Sequence, residues 1–234
     1  MSREEKREGG LYYTIVQGSF RVKVDKDNPD AVRRDWTSAD GKKSGTKYER
    51  VVNALFGKIE TIEFKEGDFG MQMMVKLDKN EDGDTPIIAL STASREGEDL
   101  MKKLPRVDLE REVRLRPFSF EGDGGEEVKG MEVMQADDAG NFTVKITNHF
   151  RGKIEKEVKG KMTEVWDNIN GYPNPDWDAD YTKDEWKIYF MQARQFLIKN
   201  TQERIIPKLG LSNTGTKKPK VLTNGEVDPD EIPF

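Results

Sequence analysis

Apolar and polar residues alternate along much of the first 150 residues, a pattern that predicts a chain built mainly from β-strands. Within residues 11–24 the apolar side chains alternate with two cations, Arg21 and Lys23, so these cations should face away from the core. The polar residues 25–45 contain turn formers and are predicted to form a loop. A similar alternation, or a short apolar run, predicts further strands at residues 48–56, 59–64, 69–77, 86–90, 112–121, 128–135 and 142–146.

Two helices are predicted among and after these strands. A short one covers residues 94–104, from a serine cap to the proline that follows. A longer one opens on the capping-box pair Thr182 and Glu185 and runs to about Ile206, before a proline. Aromatic and apolar residues recur on it at helical spacing, so one face should pack on the strands. That face contains Trp186, Tyr189, Phe190, Ala193, Phe196 and Leu197.

This order of elements predicts a mainly β fold with helices. Short strands, a helix partway along and a closing helix are typical of a closed or partly open barrel similar to the oligonucleotide-binding (OB) fold, with a β-sandwich as the alternative. The predicted domains are a flexible leader (1–10), the OB-fold-like barrel (11–150), a loop and a C-terminal helix packed on the barrel (151–211), a linker (212–225) and an acidic tip (226–234).

Composition excludes several classes of protein. The 234 residues suit one domain with tails, and the chain has no cysteine, which excludes disulfides, thiolate zinc sites and a cysteine nucleophile. No apolar run approaches the roughly 20 residues of a membrane helix, and the start lacks the apolar centre of a signal peptide. We therefore expect a cytoplasmic protein that does not contact membranes.

The charge is unevenly distributed. The net charge is −5, but without the four acids of the tip the chain has 40 acidic and 39 basic residues. Between Arg21 and Lys58 ten basic residues face six acidic ones. Since the local field guides a polyanion to its groove, a nucleic-acid-binding surface is compatible with this charge.

Two segments combine cations with aromatic rings, the pairing that holds single-stranded nucleic acid without reading its sequence. The first contains Arg33, Arg34, Trp36, Lys42, Lys43, Lys47, Tyr48 and Arg50. The second is the strand 112–121, on which period two places four residues on the side away from the core: Arg114, Arg116, Phe118 and Phe120. Alternatively, Trp36 folds back over the barrel mouth, or a bulge at Pro117 buries both phenylalanines. Further candidates on the first strands are Arg21, Lys23, Tyr12 and Tyr13.

The last nine residues have the chemistry of a ligand. Two prolines and alternating carboxylates bury too little apolar surface to order on their own, so disorder is predicted until a partner binds. Phe234 and Ile232 can fill small pockets, and the terminal carboxylate can accept an arginine fork. The predicted partner-binding residues are Asp228, Asp230, Glu231, Ile232, Pro233 and Phe234.

This ending resembles the acidic tip of bacterial single-stranded DNA-binding proteins, over about the last nine residues only. With its size and β-rich body, the chain more closely resembles the phage-encoded single-stranded DNA-binding proteins, including the T7 type. The resemblance implies non-catalytic binding that protects and organises single-stranded DNA during phage replication and recombination in the host cytoplasm. It also implies a tip that lies over the DNA groove until DNA displaces it, and that then recruits replication or repair proteins. No cofactor is implied, and a homo-oligomer is left open.

Two alternatives remain at this stage. The chain could be a metal-dependent nuclease or other DNA-processing enzyme, although it contains no phosphate-binding loop, dinucleotide fingerprint or nucleophile elbow. It could also be an adaptor that uses its tip to sequester host factors and binds no DNA. The sequence provides no convincing catalytic group, so a binding protein is the favoured interpretation.

Overall fold

The computed structural model describes residues 10–38, 41–67, 70–80, 82–158, 161–175 and 179–212. Its strands are β1 (Leu11–Val16), β2 (Ser19–Lys23), β3 (Val32–Thr37), β4 (Ser44–Val52), β5 (Leu55–Gly57), β6 (Ile59–Gly67), β7 (Gly70–Leu77), β8 (Pro86–Ser91), β9 (Val113–Glu121), β10 (Glu127–Ala136), β11 (Phe142–Lys145), β12 (Arg151–Val158) and β13 (Lys161–Asn168). Its helices are α1 (Arg95–Lys103), α2 (Lys183–Arg204) and α3 (Ile206–Ser212). The predicted tip, most of the linker and residues 1–9 of the leader lie outside the described residues.

The strands form open sheets. A seven-stranded sheet has the order β3-β4-β2-β1-β8-β7-β6, a four-stranded sheet has the order β11-β10-β9-β5, and β12 and β13 form a separate two-stranded ribbon. Only the β1–β8 pair is parallel among these described strands. The predicted fold class, mainly β with a C-terminal helix, is confirmed. The ladders of the described residues do not close the sheets into a barrel.

A tight turn brings the two larger sheets together. Gln17 and Gly18 connect β1 to β2 with φ angles of 51° and 71°, the left-handed backbone that two-residue hairpins require. A Cβ added at Gly18 would overlap the backbone nitrogen of Ser119 on β9, so only glycine fits between the strands. The start of β2 therefore lies beside the Phe118 end of β9.

The core lies between the inward faces of the sheets and the helices. It is built from alternate residues of each strand, as the period-two pattern predicts. Among its fully buried members are Phe20, Met73, Leu77, Ile88, Leu115 and Met131. Ser94 caps α1 by accepting a hydrogen bond from Gly97 N (3.0 Å), as predicted.

The predictions for the C-terminal helix α2 are confirmed except for the position of Phe190. The capping box of Thr182 and Glu185 opens α2 as expected, and Ala193 and Leu197 are buried against the core. Phe190 does not join this face, because it is 49% exposed, whereas Tyr189 is partly buried and donates from its hydroxyl to Pro173 O at 3.1 Å. α2 ends at Arg204, close to the predicted end near Ile206. A short helix that was not predicted, α3, follows from Ile206 and has Pro207 in its first turn, where the missing proline N–H is tolerated.

Two segments predicted as irregular are strands. Residues 32–37 of the predicted loop form β3, which pairs with β4 in continuous register. Residues 151–168, expected to be a loop, form the β12–β13 ribbon, hereafter the arm. In both segments charged residues occupy half of the positions, so the alternation of apolar and polar residues that reveals a half-buried strand is weak. None of the described helices is long and apolar enough to cross a membrane.

Candidate nucleic-acid interface

The register of β2, β3 and β4 collects several predicted residues on one outward face. Arg34 lies opposite Lys47, Trp36 lies opposite Gly45, and Lys23 lies opposite Glu49. Residues paired across neighbouring strands share a face of the sheet, as do alternate residues along a strand. We call this face the hairpin surface: Arg21, Lys23, Arg34, Trp36, Gly45, Lys47 and Glu49.

A buried carboxylate organises the cations of the hairpin surface. Glu49 accepts two hydrogen bonds of 2.7 Å from Arg34, through Nε and Nη2, and Arg21 Nη1 lies 3.8 Å from the same carboxylate. The Arg34 hydrogen bonds hold the pKa of Glu49 below its usual value, and Glu49 in turn raises the pKa of Arg34. A guanidinium has five N–H donors, so this bidentate pair fixes Arg34 and leaves donors for a second anion.

Trp36 lies flat on the hairpin surface and does not fold into the core. A Cβ added at Gly45 would lie 3.0 Å from Trp36 Nε1, which shows that the indole covers the glycine directly across the ladder. Lys47 Nζ stands 5.4 Å from the ring centroid, a cation–π distance. The indole is half-buried, and it lies beside cations, as a stacking platform requires.

Several predicted residues lie elsewhere. Tyr48 pairs with Arg33 and Arg50 pairs with the buried Val22, which places Arg33, Tyr48 and Arg50 on the opposite face of the sheet. Their expected place beside Trp36 is therefore wrong, because the assumed loop is a strand that alternates its side chains. Lys42 and Lys43 are exposed in the turn between β3 and β4.

On the opposite face of the sheet, Arg33 lies in an ion pair and Arg50 lies at a cavity. Arg33 forms an ion pair of 3.2 Å with Asp35 on its own strand. Arg50 lines a cavity of about 610 Å³ between the two larger sheets, together with Tyr13 and Leu55. Tyr12 faces solvent and Tyr13 is buried in the core, so the second tyrosine cannot contact DNA.

The strand β9 carries the second surface in the predicted register. It pairs with β10 from Val113 to Glu121 without a bulge, and Pro117 is buried beside the core. The alternative of a bulge that buries both phenylalanines is thus wrong. We call the outward side the β9 surface: Arg114, Arg116, Phe118 and Phe120 from β9, Gly130 and Glu132 from β10, Phe56 from β5 and Phe142 from β11.

Glu132 has the same role on the β9 surface as Glu49 on the hairpin surface. It lies between two arginines and accepts hydrogen bonds from Arg116 Nη2 at 3.0 Å and from Arg114 Nη2 at 3.1 Å. One carboxylate between two guanidinium groups leaves one positive charge in excess. The acid aligns the arginines without neutralising the site.

Aromatic rings lie at both ends of the β9 surface. Phe118 and Phe120 stack with centroids 5.8 Å apart and ring planes at 27°, and Phe120 is 56% exposed. Phe118 covers Gly130, where an added Cβ would lie 2.5 Å from its Cζ. At the other end, Phe56 pairs with Arg114 across the β5–β9 ladder. Its ring meets the ring of Phe142 edge to face, with the two centroids 5.2 Å apart.

Sequence reasoning missed part of both surfaces. Phe56, Phe142, Glu49 and Glu132 join them only through pairing between strands that are distant in sequence. Nothing in the sequence around Gly45 or Gly130 indicates that an aromatic ring covers these glycines. The alternation within β2 and within β9 could be read along a single strand, and both predicted outward faces are confirmed.

Three arginines of the predicted sites retain an unpaired buried donor. In the described part of the chain, the buried side-chain nitrogens without a hydrogen-bond partner are the Nε atoms of Arg21, Arg50 and Arg114. Buried donors are normally paired, so an unpaired donor needs a physical account. Arg114 donates to Glu132 through Nη2, and Arg21 approaches Glu49 only at an ion-pair distance of 3.8 Å through Nη1, so neither carboxylate pairs the Nε atom.

No three acidic or histidine side chains come together as a metal site within the described ranges. The predicted partner-binding residues of the tip, from Asp228 to Phe234, lie outside those ranges. Comparison with protein-family models, curated proteins and solved structures returns no match to this chain.

Proposed function

We propose that the protein binds single-stranded DNA without catalysis, using the β9 surface and the hairpin surface as stacking platforms flanked by cations. The observation that carries the proposal is the stacked pair of half-buried Phe118 and exposed Phe120, beside Arg114 and Arg116 on one continuous strand. Neighbouring phenylalanines that form one apolar patch at the surface mark an interaction site more often than a single exposed ring does. Beside arginine such a patch suits nucleic acid, because every base has a stackable face and every nucleotide carries a phosphate.

The dimensions of the β9 surface suit more than one nucleotide. Arg114 and Phe120 are six positions apart on the strand, which corresponds to about 20 Å. Aromatic rings lie at both ends of this path and arginines lie between them, so bases can stack at the ends while phosphates pass the guanidinium groups. The Gly18 turn packs against the Phe118–Ser119 backbone, so one end of β2 reaches β9.

The acidic tip completes the proposal. Residues 226–234 would compete with DNA for the cationic surfaces and would recruit replication or repair proteins once DNA displaces them. Such a protein would act in the cytoplasm of an infected bacterium during phage replication or recombination. Removal of residues 226–234 should then strengthen DNA binding and abolish partner binding, because the competing anion and the ligand are lost together. An unchanged or weaker affinity would contradict the competition.

A titration with oligo-dT tests the binding function directly. Tryptophan fluorescence should be quenched stoichiometrically, and log affinity should fall against log salt by about 0.7 for each phosphate contact. A duplex of equal length serves as the control, and it should bind more weakly because its bases are not free to stack.

The same oligonucleotide separates the alternatives. Incubation with Mg²⁺ followed by denaturing electrophoresis should leave it at full length, whereas a nuclease would shorten it. An adaptor that acts only through its tip would neither quench nor shorten it. Either result would refute the proposed function.

A further inference from the structure

The arm forms one wall of a cleft that lies apart from both surfaces. The cleft has a volume of about 540 Å³ and is lined by Arg106, Thr147, Arg151, Lys153 and Trp166, among others. Arg106 belongs to the single 3₁₀ turn after α1, and Thr147 precedes the arm. The size falls in the range of small-ligand clefts, about 300–1,000 Å³.

The cations of the cleft retain charge for a ligand. Arg106 Nη1 donates to Thr147 Oγ1 at 2.7 Å, and neither Arg106 nor Arg151 forms an ion pair with the residues that the structure describes. Lys153 is paired with Glu164 at 2.7 Å, but that carboxylate does not line the cleft. An anion that enters would therefore meet two guanidinium groups without a competing internal partner.

The surroundings of His149 agree with a positive field at this place. Burial is the main cause that lowers its pKa, and the charges of Arg106 and Arg204 lower it further. Neighbouring cations disfavour the protonated imidazole, as they would favour a bound anion.

Trp166 provides an aromatic face beside these cations. It is 61% exposed, and Lys153, its partner across the ribbon, holds Nζ 6.0 Å from the ring centroid. Because so little of the indole is buried on the two-stranded ribbon, Trp166 contributes little to the stability of the fold. Its face remains available to a planar ligand.

We propose that this cleft binds one nucleotide of single-stranded DNA, with the base against Trp166 and the phosphate between Arg106 and Arg151. The inference rests on the proposed function and adds a third contact to the two surfaces. The combination of an exposed indole, two guanidinium groups without ion pairs and a lining without carboxylates favours a nucleotide over a neutral or cationic ligand.

Variants of the arm test the inference in the full chain by fluorescence anisotropy with labelled oligo-dT. Trp166→Ala should weaken binding about 5- to 150-fold, the range of base stacking, and Trp166→Phe should recover most of that loss. Arg151→Ala should weaken binding and reduce the salt slope by about 0.7, which corresponds to one lost phosphate contact.

Matched controls lie on the same arm. Met162→Ala removes a similarly exposed apolar side chain, and Lys156→Ala removes an exposed cation that does not line the cleft. Neither should change the affinity by more than about twofold. Melting by circular dichroism should be unchanged for every variant, because these side chains are exposed or only partly buried.

Each outcome discriminates. Suppose that the unaltered protein binds oligo-dT and that the variants Trp166→Ala and Arg151→Ala each bind it as tightly as the unaltered protein does. The cleft inference is then overturned, and the proposed function stands. If the unaltered protein does not bind oligo-dT, both are overturned. Cleft variants that bind DNA more tightly than the parent would show that the cleft holds an anionic protein segment, which also overturns the inference.

Discussion

Replacement of Phe120 by alanine should separate DNA binding from folding. A phenylalanine side chain presents about 200 Å². Because the ring is 56% exposed, only about 90 Å² is covered in the fold. At about 25 cal/mol per Å² this burial contributes at most about 2 kcal/mol, well below the 3–5 kcal/mol of a buried phenylalanine. Loss of one stacked base should cost about 1–3 kcal/mol of binding free energy, or about 5- to 150-fold in affinity.

The assay is oligo-dT binding at several salt concentrations, with unfolding in urea measured in parallel. Phe120→Ala should lower the affinity and leave the salt slope unchanged, because no charge is removed. Arg116→Ala should reduce the slope by about 0.7. Phe190→Ala is the control, since that ring is 49% exposed on α2, outside both surfaces. Equal affinities for Phe120→Ala, Phe190→Ala and the parent protein would refute stacking on the β9 surface.

Two further predictions concern the framework of the site. Glu49→Gln should destabilise the fold at neutral pH by about 1–3 kcal/mol, because it leaves Arg34 without its carboxylate. The pKa of Glu49 is lower in the folded protein than its ordinary value of 4.5. The ionised carboxylate therefore adds its full share to the free energy of unfolding above pH 4.5, and this share is lost as the pH falls from there through the folded pKa. The difference in melting temperature between Glu49→Gln and the parent should narrow over that interval, and a constant difference would contradict the ion pair. Gly18→Ala should cost at least about 1 kcal/mol in urea unfolding, because φ is 71° and the methyl group would overlap Ser119; a neutral result would show that the turn can move away from β9.

Strands with a clear alternation could be predicted from the sequence alone. The outward side of β9 was identified correctly because four residues of one strand, with no turn between them, determine its faces. The same rule accounts for β7, in which the alternate residues Met73, Val75 and Leu77 are buried. In each case the information lies within a few neighbouring residues.

The hairpin surface could not be predicted in the same way. Charged residues of β3 occupy both faces, so no apolar side marks it as a strand. Its register with β4 then decides that Arg34 joins Trp36 while Arg33 and Arg50 do not. Phe56 and Phe142 reach the β9 surface only through pairing between distant segments. The cleft beside the arm could not be predicted either. The arm is an exposed ribbon that buries few side chains, so its sequence lacks the apolar alternation by which a strand is recognised.

Both half-buried platform rings, Trp36 and Phe118, lie on a glycine of the neighbouring strand. Gly45 and Gly130 therefore set the height of each ring above its sheet, and any larger residue there would tilt or lift the ring. Among related sequences, a substitution of Gly45 should accompany a substitution of Trp36, and a substitution of Gly130 should accompany one of Phe118. A side chain becomes acceptable at position 45 or 130 mainly when the aromatic partner has been replaced by a smaller residue, so these positions should evolve as pairs.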